Sequence, residues 1–174
     1  MLNRIFNNTM TDIVLIQEPY VYGGLVRRLA TTTGKLIYDR GSEKPRAAML
    51  LKANTKYLPL PQFTSRDIVA VQAVVPTAGG RQEVVVASAY FPGDSEEVPP
   101  IEVKNLIQYC RLFNMGLILG CDANAHHVVW GSTDVNGRSE SLYEYLCNTN
   151  LDIVNRGSEP TFVTRARQEV LVSP

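Results

Sequence analysis

Glu18, Tyr90, Asp122 and Asn124 are the residues in this sequence whose types and settings suit joint chemistry. Each follows an apolar run. Asp12-Ile-Val-Leu-Ile-Gln17 ends in Glu18-Pro19, Val84-Val-Val-Ala87 feeds Ser88-Ala-Tyr90-Phe-Pro92, and Leu117-Ile-Leu-Gly-Cys121 opens into Asp122-Ala-Asn124-Ala-His126-His127. An apolar run that stops abruptly at a polar group reads as a buried strand with chemistry at its mouth, where the strand fixes the backbone and the loop faces solvent. If the three strands are neighbours, their ends meet on one rim. A carboxylate there suits a hard divalent ion, which takes one or two carboxylates and completes its shell with water and phosphate oxygens. A second carboxylate, kept off the metal, can accept a proton from an attacking water. An amide or a tyrosine hydroxyl can donate to a phosphoryl oxygen that gains charge. Together the set suits metal-assisted hydrolysis of a phosphoester. The plain alternative for Asp122 and Asn124 is a turn in which they bond their own backbone.

Positioning these groups requires strands and few helices. Short β-rich runs cover Lys35 to Tyr38, Ala47 to Leu51, Tyr57 to Leu60, Ile68 to Val75 and Glu83 to Tyr90, with turn clusters between them. The last two read as a hairpin across Pro76 to Gln82. Gly23-Gly24 begins a loop, and Leu25 to Leu29 is expected to form one helical turn. Residues 1–10 carry Leu2, Ile5 and Phe6 at helical spacing. Val103, Leu106, Ile107, Cys110 and Phe113 recur at three and four residues after Pro99-Pro100, which predicts the strongest helix. A second helix is expected over Glu140 to Cys147, with Asp134 or Ser139 as its cap by residue type. Asn150 to Val154 and Pro160 to Val163 read as late short strands. This mixed order argues for one layered α/β domain over residues 1–174, built on two sheets.

Composition is that of an ordinary folded protein, with 45% hydrophobic and 20% charged residues. Lys+Arg and Asp+Glu stand at 17 each, so the total charge gives no argument for nucleic acid or an anionic membrane. Cys110, Cys121 and Cys147 share no metal or redox spacing and read as reduced, mostly buried thiols of an intracellular protein. No run has the length of a membrane span and no signal segment opens the chain, so no membrane partner is expected.

Leu15-Ile-Gln-Glu-Pro19, Ser88-Ala-Tyr-Phe-Pro92 and Leu119-Gly-Cys-Asp-Ala-Asn-Ala125, in this order, resemble three successive motifs of the endonuclease/exonuclease/phosphatase family. Gln-Glu-Pro-Tyr20, Asp-Ala-Asn-Ala-His-His127 and Trp130-Gly-Ser132 are similar to the apurinic-like endonuclease domain of non-LTR retrotransposons, the jockey type among them. Asn136-Gly-Arg138, Asn155-Arg-Gly157 and Pro160-Thr-Phe162 fit the same pattern. The resemblance implies a four-layer α/β sandwich of two stacked mixed sheets flanked by helices. It implies Glu18 on Mg²⁺ (or Mn²⁺), Asp122 orienting or deprotonating water, and Asn124 and Tyr90 on the scissile phosphate. Thr161 would support the site through hydrogen bonds. Apart from the resemblance, His126 reads as a loop or substrate-facing residue and Asn136 as a candidate substrate contact. The implied reaction is nicking of DNA to leave a 3′-hydroxyl that primes reverse transcription, in the nucleus, with a reverse transcriptase domain in a longer parent polypeptide.

Departures accompany the matches. The family's opening strand with an Asn, its late Asp and its terminal Ser-Asp-His have no counterpart here; the expected aspartate region reads Gln168-Glu169-Val-Leu-Val-Ser-Pro174. The resemblance therefore implies a chain incomplete at both termini and impaired in metal affinity and nicking. Two alternatives remain at this level: an inactive binding remnant, and a phosphoinositide or phospholipid phosphoesterase of the same fold. Trp130 reads either as a base-stacking group or as packing on the sheet rim. Arg138 and Asn136 read as backbone-phosphate contacts or as caps of the helix that follows, and Arg165 and Arg167 as a phosphate face or a solvated strand edge.

Overall fold

The computed structural model describes residues 11–29, 34–149 and 151–154, with the backbone of 162–163 and 168–169. The expected helix over residues 1–10, and Thr161, Arg165, Arg167 and Asn155-Arg-Gly157, lie outside the described residues. The chain divides into two compact units, one of Met1–Tyr90 with Glu102–Gly120, the other of Phe91–Ile101 with Cys121–Pro174.

Two larger sheets and a short hairpin build the first unit. One has three strands in the order β1 (Ile13–Gln17), β5 (Ala47–Lys52), β4 (Gly34–Tyr38), all antiparallel. The other runs β6 (Tyr57–Thr64), β7 (Ile68–Thr77), β8 (Gly80–Tyr90), β9 (Gly116–Asp122). Pro59 and Pro61 in β6 deny the ladder two amides, which suits its place at the sheet edge, and its register against β7 shifts between Pro59 and Thr64. The hairpin β7–β8 pairs from Ile68↔Ala89 to Thr77↔Gly80, so its turn is tighter than the sequence suggested.

Alternation along the strands builds the core. Ala47, Met49 and Leu51 of β5 point one way and pack with Val69, Val71 and Ala73 of β7 and Val84 and Val86 of β8, which joins the sheets face to face. Ala48, on the opposite face of β5, packs with Val26, Leu29 and Tyr38. Because both faces of β5 are covered, its sequence is a continuous apolar run rather than an alternating one. The cover on that outer face is a short hairpin of β2 (Val21–Tyr22) and β3 (Leu25–Val26). The helical turn expected at Leu25 to Leu29 is therefore corrected: Gly23 and Gly24 take φ of 59° and 71°, the left-handed pair that a tight hairpin turn needs.

Helix α1 (Ile101–Leu112) buries Val103, Leu106, Ile107 and Cys110, the stripe read from the sequence. It sets Tyr109 edge-on to Phe63 of β6, with ring centroids 5.1 Å apart. Phe113 lies past the helix end and is exposed. Gly116 opens β9 beside Val84, where an added Cβ would stand 3.1 Å from that side chain. At the other end of β9 the Phe91 N–H donates to the Asp122 carbonyl (2.8 Å), so β8 and β9 run parallel, joined by α1 as a crossover.

In the second unit, helix α2 (Gly137–Cys147) follows a short 3₁₀ turn at Val128–Trp130. Strands β10 (Phe162–Val163) and β11 (Gln168–Glu169) pair antiparallel. Leu151 to Val154 form no strand, which corrects the expectation for that segment. All three cysteines are free; Cys110 is buried and Cys121 half-buried, but Cys147 is exposed on α2. No helix among the described residues is long and apolar enough to cross a membrane.

Candidate active site

A single side chain ties three strand ends together in the first unit. Gln17, the last residue of β1, donates through Nε2 to Ser88 Oγ of β8 (3.0 Å) and to the Gly120 carbonyl of β9 (3.2 Å). Ser88, fully buried, donates in turn to the Ile16 carbonyl (3.0 Å). A buried hydroxyl that both accepts and donates carries no desolvation debt and locks the strands it joins. Gln17, Ser88 and Gly120 each stand one or two residues before Glu18, Tyr90 and Asp122 in the sequence. The expectation that β1, β8 and β9 are neighbours with adjoining ends is met at these three residues.

Glu18 extends the β1–β5 ladder by one step, its N–H donating to the Arg46 carbonyl (2.8 Å). It then turns with φ of 48°, left-handed for a residue with a β-carbon, and leaves its side chain exposed. Such a conformation costs of order 1–3 kcal/mol and persists where surroundings enforce it, often at functional positions. Arg46 also braces Tyr90. Its guanidinium forms a two-pronged ion pair with Asp67 (both contacts 2.5 Å) and lies 4.6 Å from the centre of the Tyr90 ring. The Asp67 carbonyl accepts the Tyr90 N–H (2.8 Å), so Asp67 holds Tyr90 by its backbone and the arginine by its side chain.

The second unit holds the other pair. Asp122 Oδ1 accepts the Asn124 N–H (3.1 Å), and Asn124, with φ of 48°, donates through Nδ2 to the Phe91 carbonyl (3.0 Å). The local turn and the reactive pair are thus the same structure: the Asx-type turn aims the Asn124 amide. One Nδ2 proton goes to Phe91, and an amide nitrogen has two. Arg138 turns toward the backbone of two loops. Its Nε donates to the Ala123 carbonyl (3.0 Å) and Nη1 to the Ser95 carbonyl, which braces the loops on either side of Asn124.

Asn136 caps α2, its Oδ1 accepting from the Ser139 N–H (2.9 Å) while Ser139 Oγ accepts the Asn136 N–H (3.3 Å). That reciprocal box corrects the choice of Asp134; Ser139 shares in it from the third helical position. Asp134 instead meets His126 Nδ1 at 3.1 Å. Trp130 is buried and its Nε1 donates to the Ala125 carbonyl (3.0 Å), so it packs and does not stack on a base. His127 caps the 3₁₀ turn through Nδ1 and stacks on Tyr143 at 4.9 Å. Burial, with the Asp122 charge beside it, pushes the Cys121 thiol up to about 12.

Among the described residues no three His, Cys, Asp or Glu side chains cluster as a ready-made cage. An exposed carboxylate such as Glu18 fits a hard ion that keeps most of its shell as water and substrate oxygen. Sequence reasoning passed over Gln17, Arg46, Asp67 and Ser88. The only signal was position: each lies within two residues of a buried strand's end.

A family model described as endonuclease-reverse transcriptase matches residues 84–171, half of the chain. The chain belongs to that family. A solved structure, the "Endonuclease domain of TRAS1, a telomere-specific non-LTR retrotransposon", is similar over 97% of this chain and 72% of its own, at 28% identity and a TM-score of 0.72. No curated protein matches. The likeness to a retrotransposon endonuclease, first read from three short motifs, thus extends to the fold.

Proposed function

We propose that this chain is the DNA-nicking domain of a non-LTR retrotransposon, hydrolysing one phosphodiester with Mg²⁺, or Mn²⁺ in its place. The observation that carries the reading is the Gln17–Ser88–Gly120 network, which joins the ends of the three strands that lead to Glu18, Tyr90 and Asp122. A bound divalent ion supplies charge stabilisation at a phosphoryl oxygen. Glu18 would hold that ion through its exposed carboxylate. Asp122 orients a water and takes its proton as the water oxygen bonds to phosphorus. The P–O3′ bond breaks with its electron pair on the 3′ oxygen, which takes a proton from solvent to become the strand's hydroxyl, and the phosphate stays on the 5′ side. The Tyr90 hydroxyl and the second Nδ2 proton of Asn124 donate to the phosphoryl oxygens, which gain charge in the transition state. Family membership supports a DNA substrate and a reverse transcriptase domain in the parent polypeptide, and the proposal places that reaction in the nucleus.

Conversion of supercoiled plasmid to open circles tests the reading. Nicking that needs Mg²⁺, stops with a chelator and is lost in Asp122→Ala is the expected result. Nicking that persists in Asp122→Ala, or hydrolysis of inositol phosphates in place of DNA, would overturn it. The impairment expected from the sequence is read in the same assay, as the rate constant of the chain itself.

A further inference from the structure

Directly after Glu18 the first unit carries a feature that neither the reaction nor the family match uses. The β2–β3 hairpin lies outside the matched residues 84–171 and begins three residues past that acid. Its inward side chains, Val21 and Val26, pack with Leu29 on Ile16, Leu36, Tyr38 and Ala48. That anchor fixes the outward side chains in water. Tyr20 is 50% exposed and Tyr22 70%, and Arg27 and Arg28 are exposed beside them. The Arg28 guanidinium stands 4.4 Å from the Tyr20 ring centre, and the Arg27 N–H donates to the Tyr20 carbonyl (2.8 Å), so arginines and tyrosines form one platform. Gly23 and Gly24 have nothing within 4 Å of an added Cβ; they are required by the turn's left-handed backbone, not by space.

The charge of this region departs from that of the chain. From Glu18 to Arg46 there are six Lys and Arg against three Asp and Glu, while the whole chain is balanced at 17 each. A scattered exposed tyrosine needs no explanation. Two on an anchored hairpin, interleaved with arginines, match what a nucleic-acid strand offers: flat faces to stack on and phosphates to pair with.

We infer that the hairpin Tyr20–Arg28 grips the DNA strand next to the phosphodiester that is cut, with Tyr22 stacking on a sugar or base face and Arg27 pairing with a phosphate. The inference rests on the DNA-nicking reading and adds to it a substrate-positioning element. The grip raises affinity and leaves the chemical step alone.

The test measures binding of fluorescent single-stranded and duplex oligonucleotides by anisotropy across a salt series, in an Asp122→Ala background that does not cut. Tyr22→Ala with Arg27→Ala is expected to weaken binding about tenfold and to lower the salt slope by about one, the value of one phosphate contact. Tyr22→Phe, which keeps the ring, retains the affinity. Arg27→Glu alone, which leaves the hairpin's buried face untouched, weakens it as well. With Asp122 restored, the paired alanine variant raises KM for plasmid and keeps kcat. If the parent binds DNA and the variants bind as tightly, the inference fails and the nicking reading stands. A parent that neither binds nor nicks DNA overturns both.

Discussion

Glu18 closes β1 in the first unit with its carboxylate exposed and its backbone alone tied down, whereas Asp122 closes β9 and gives one carboxylate oxygen to the Asn124 amide. The difference follows from what each acid is proposed to do. A metal ligand serves a hard ion best when its oxygens remain open to exchange with water and substrate. A group that receives a proton from a positioned water must be aimed, and a turn aims it. Both units hold their acid by a left-handed residue, Glu18 itself in one and Asn124 in the other, so backbone strain is present at each.

The largest break in that comparison is expected at Asp122. Asp122→Asn keeps an oxygen for the Asn124 amide but loses the base, so kcat for nicking should fall by about a thousandfold, within the range that general-base removal spans. Thermal midpoint and KM should stay near those of the parent. A fall in stability of similar weight would make Asp122 a turn residue and nothing more.

Next in size is the junction that serves the first unit. Ser88→Ala removes the hydroxyl that links Gln17 to the Ile16 carbonyl, and loss of its two hydrogen bonds should cost about 1–2 kcal/mol. Denaturant unfolding reads that loss, and nicking at low temperature, where the variant stays folded, should fall too. Unchanged activity there would separate the strand junction from the site. At Asn136 the stakes are smaller. Asn136→Ala should cost about 1 kcal/mol through its cap, and Asn136→Asp should restore it. A rise in KM for DNA in both variants would show substrate contact in addition to capping.

The three thiols give the smallest effect and a check on shelter. Burial lifts Cys110 to about 11 and Cys121 to about 12 from an ordinary 9.0. Since the folded chain holds these protons more tightly than the unfolded one, the stability they confer is whole below pH 9 and drains as pH rises through 11 to 12. Alkylation at neutral pH should mark Cys147 first, with Cys110 and Cys121 protected. Rapid labelling of Cys121 would mean that the neighbourhood of Asp122 is open.

Much of this was legible in the sequence because it depends on period and punctuation. The apolar runs before Glu18, Tyr90 and Asp122 marked the strands, and the spacing of Val103, Leu106, Ile107 and Cys110 marked α1. What escaped depends on partners distant in the chain. Gln17 gains its meaning from Ser88 and Gly120, and Arg46 from Asp67 and Tyr90, none of which local pattern reveals. The hairpin at Gly23-Gly24 was missed for another reason. Strands of two residues show no period, and without flanking strands a glycine pair signals a loop before it signals a tight hairpin turn. Residue type ranks Asp134 and Ser139 above Asn136 as the cap although Asn and Asp cap equally well; the bond between Asp134 and His126 leaves the cap to Asn136.

The division of labour between the two acids is tested most directly by the Mg²⁺ dependence of plasmid nicking in Glu18→Gln and Asp122→Asn, measured beside the parent. Glu18→Gln should raise the Mg²⁺ midpoint by at least about tenfold, the lower end of what losing even a supporting group around a metal costs. Much of its rate should return at high metal. Asp122→Asn should lower the rate at every Mg²⁺ concentration and leave the midpoint where it was. Midpoints that shift together, or a Glu18→Gln variant that responds to metal as the parent does, would contradict the account.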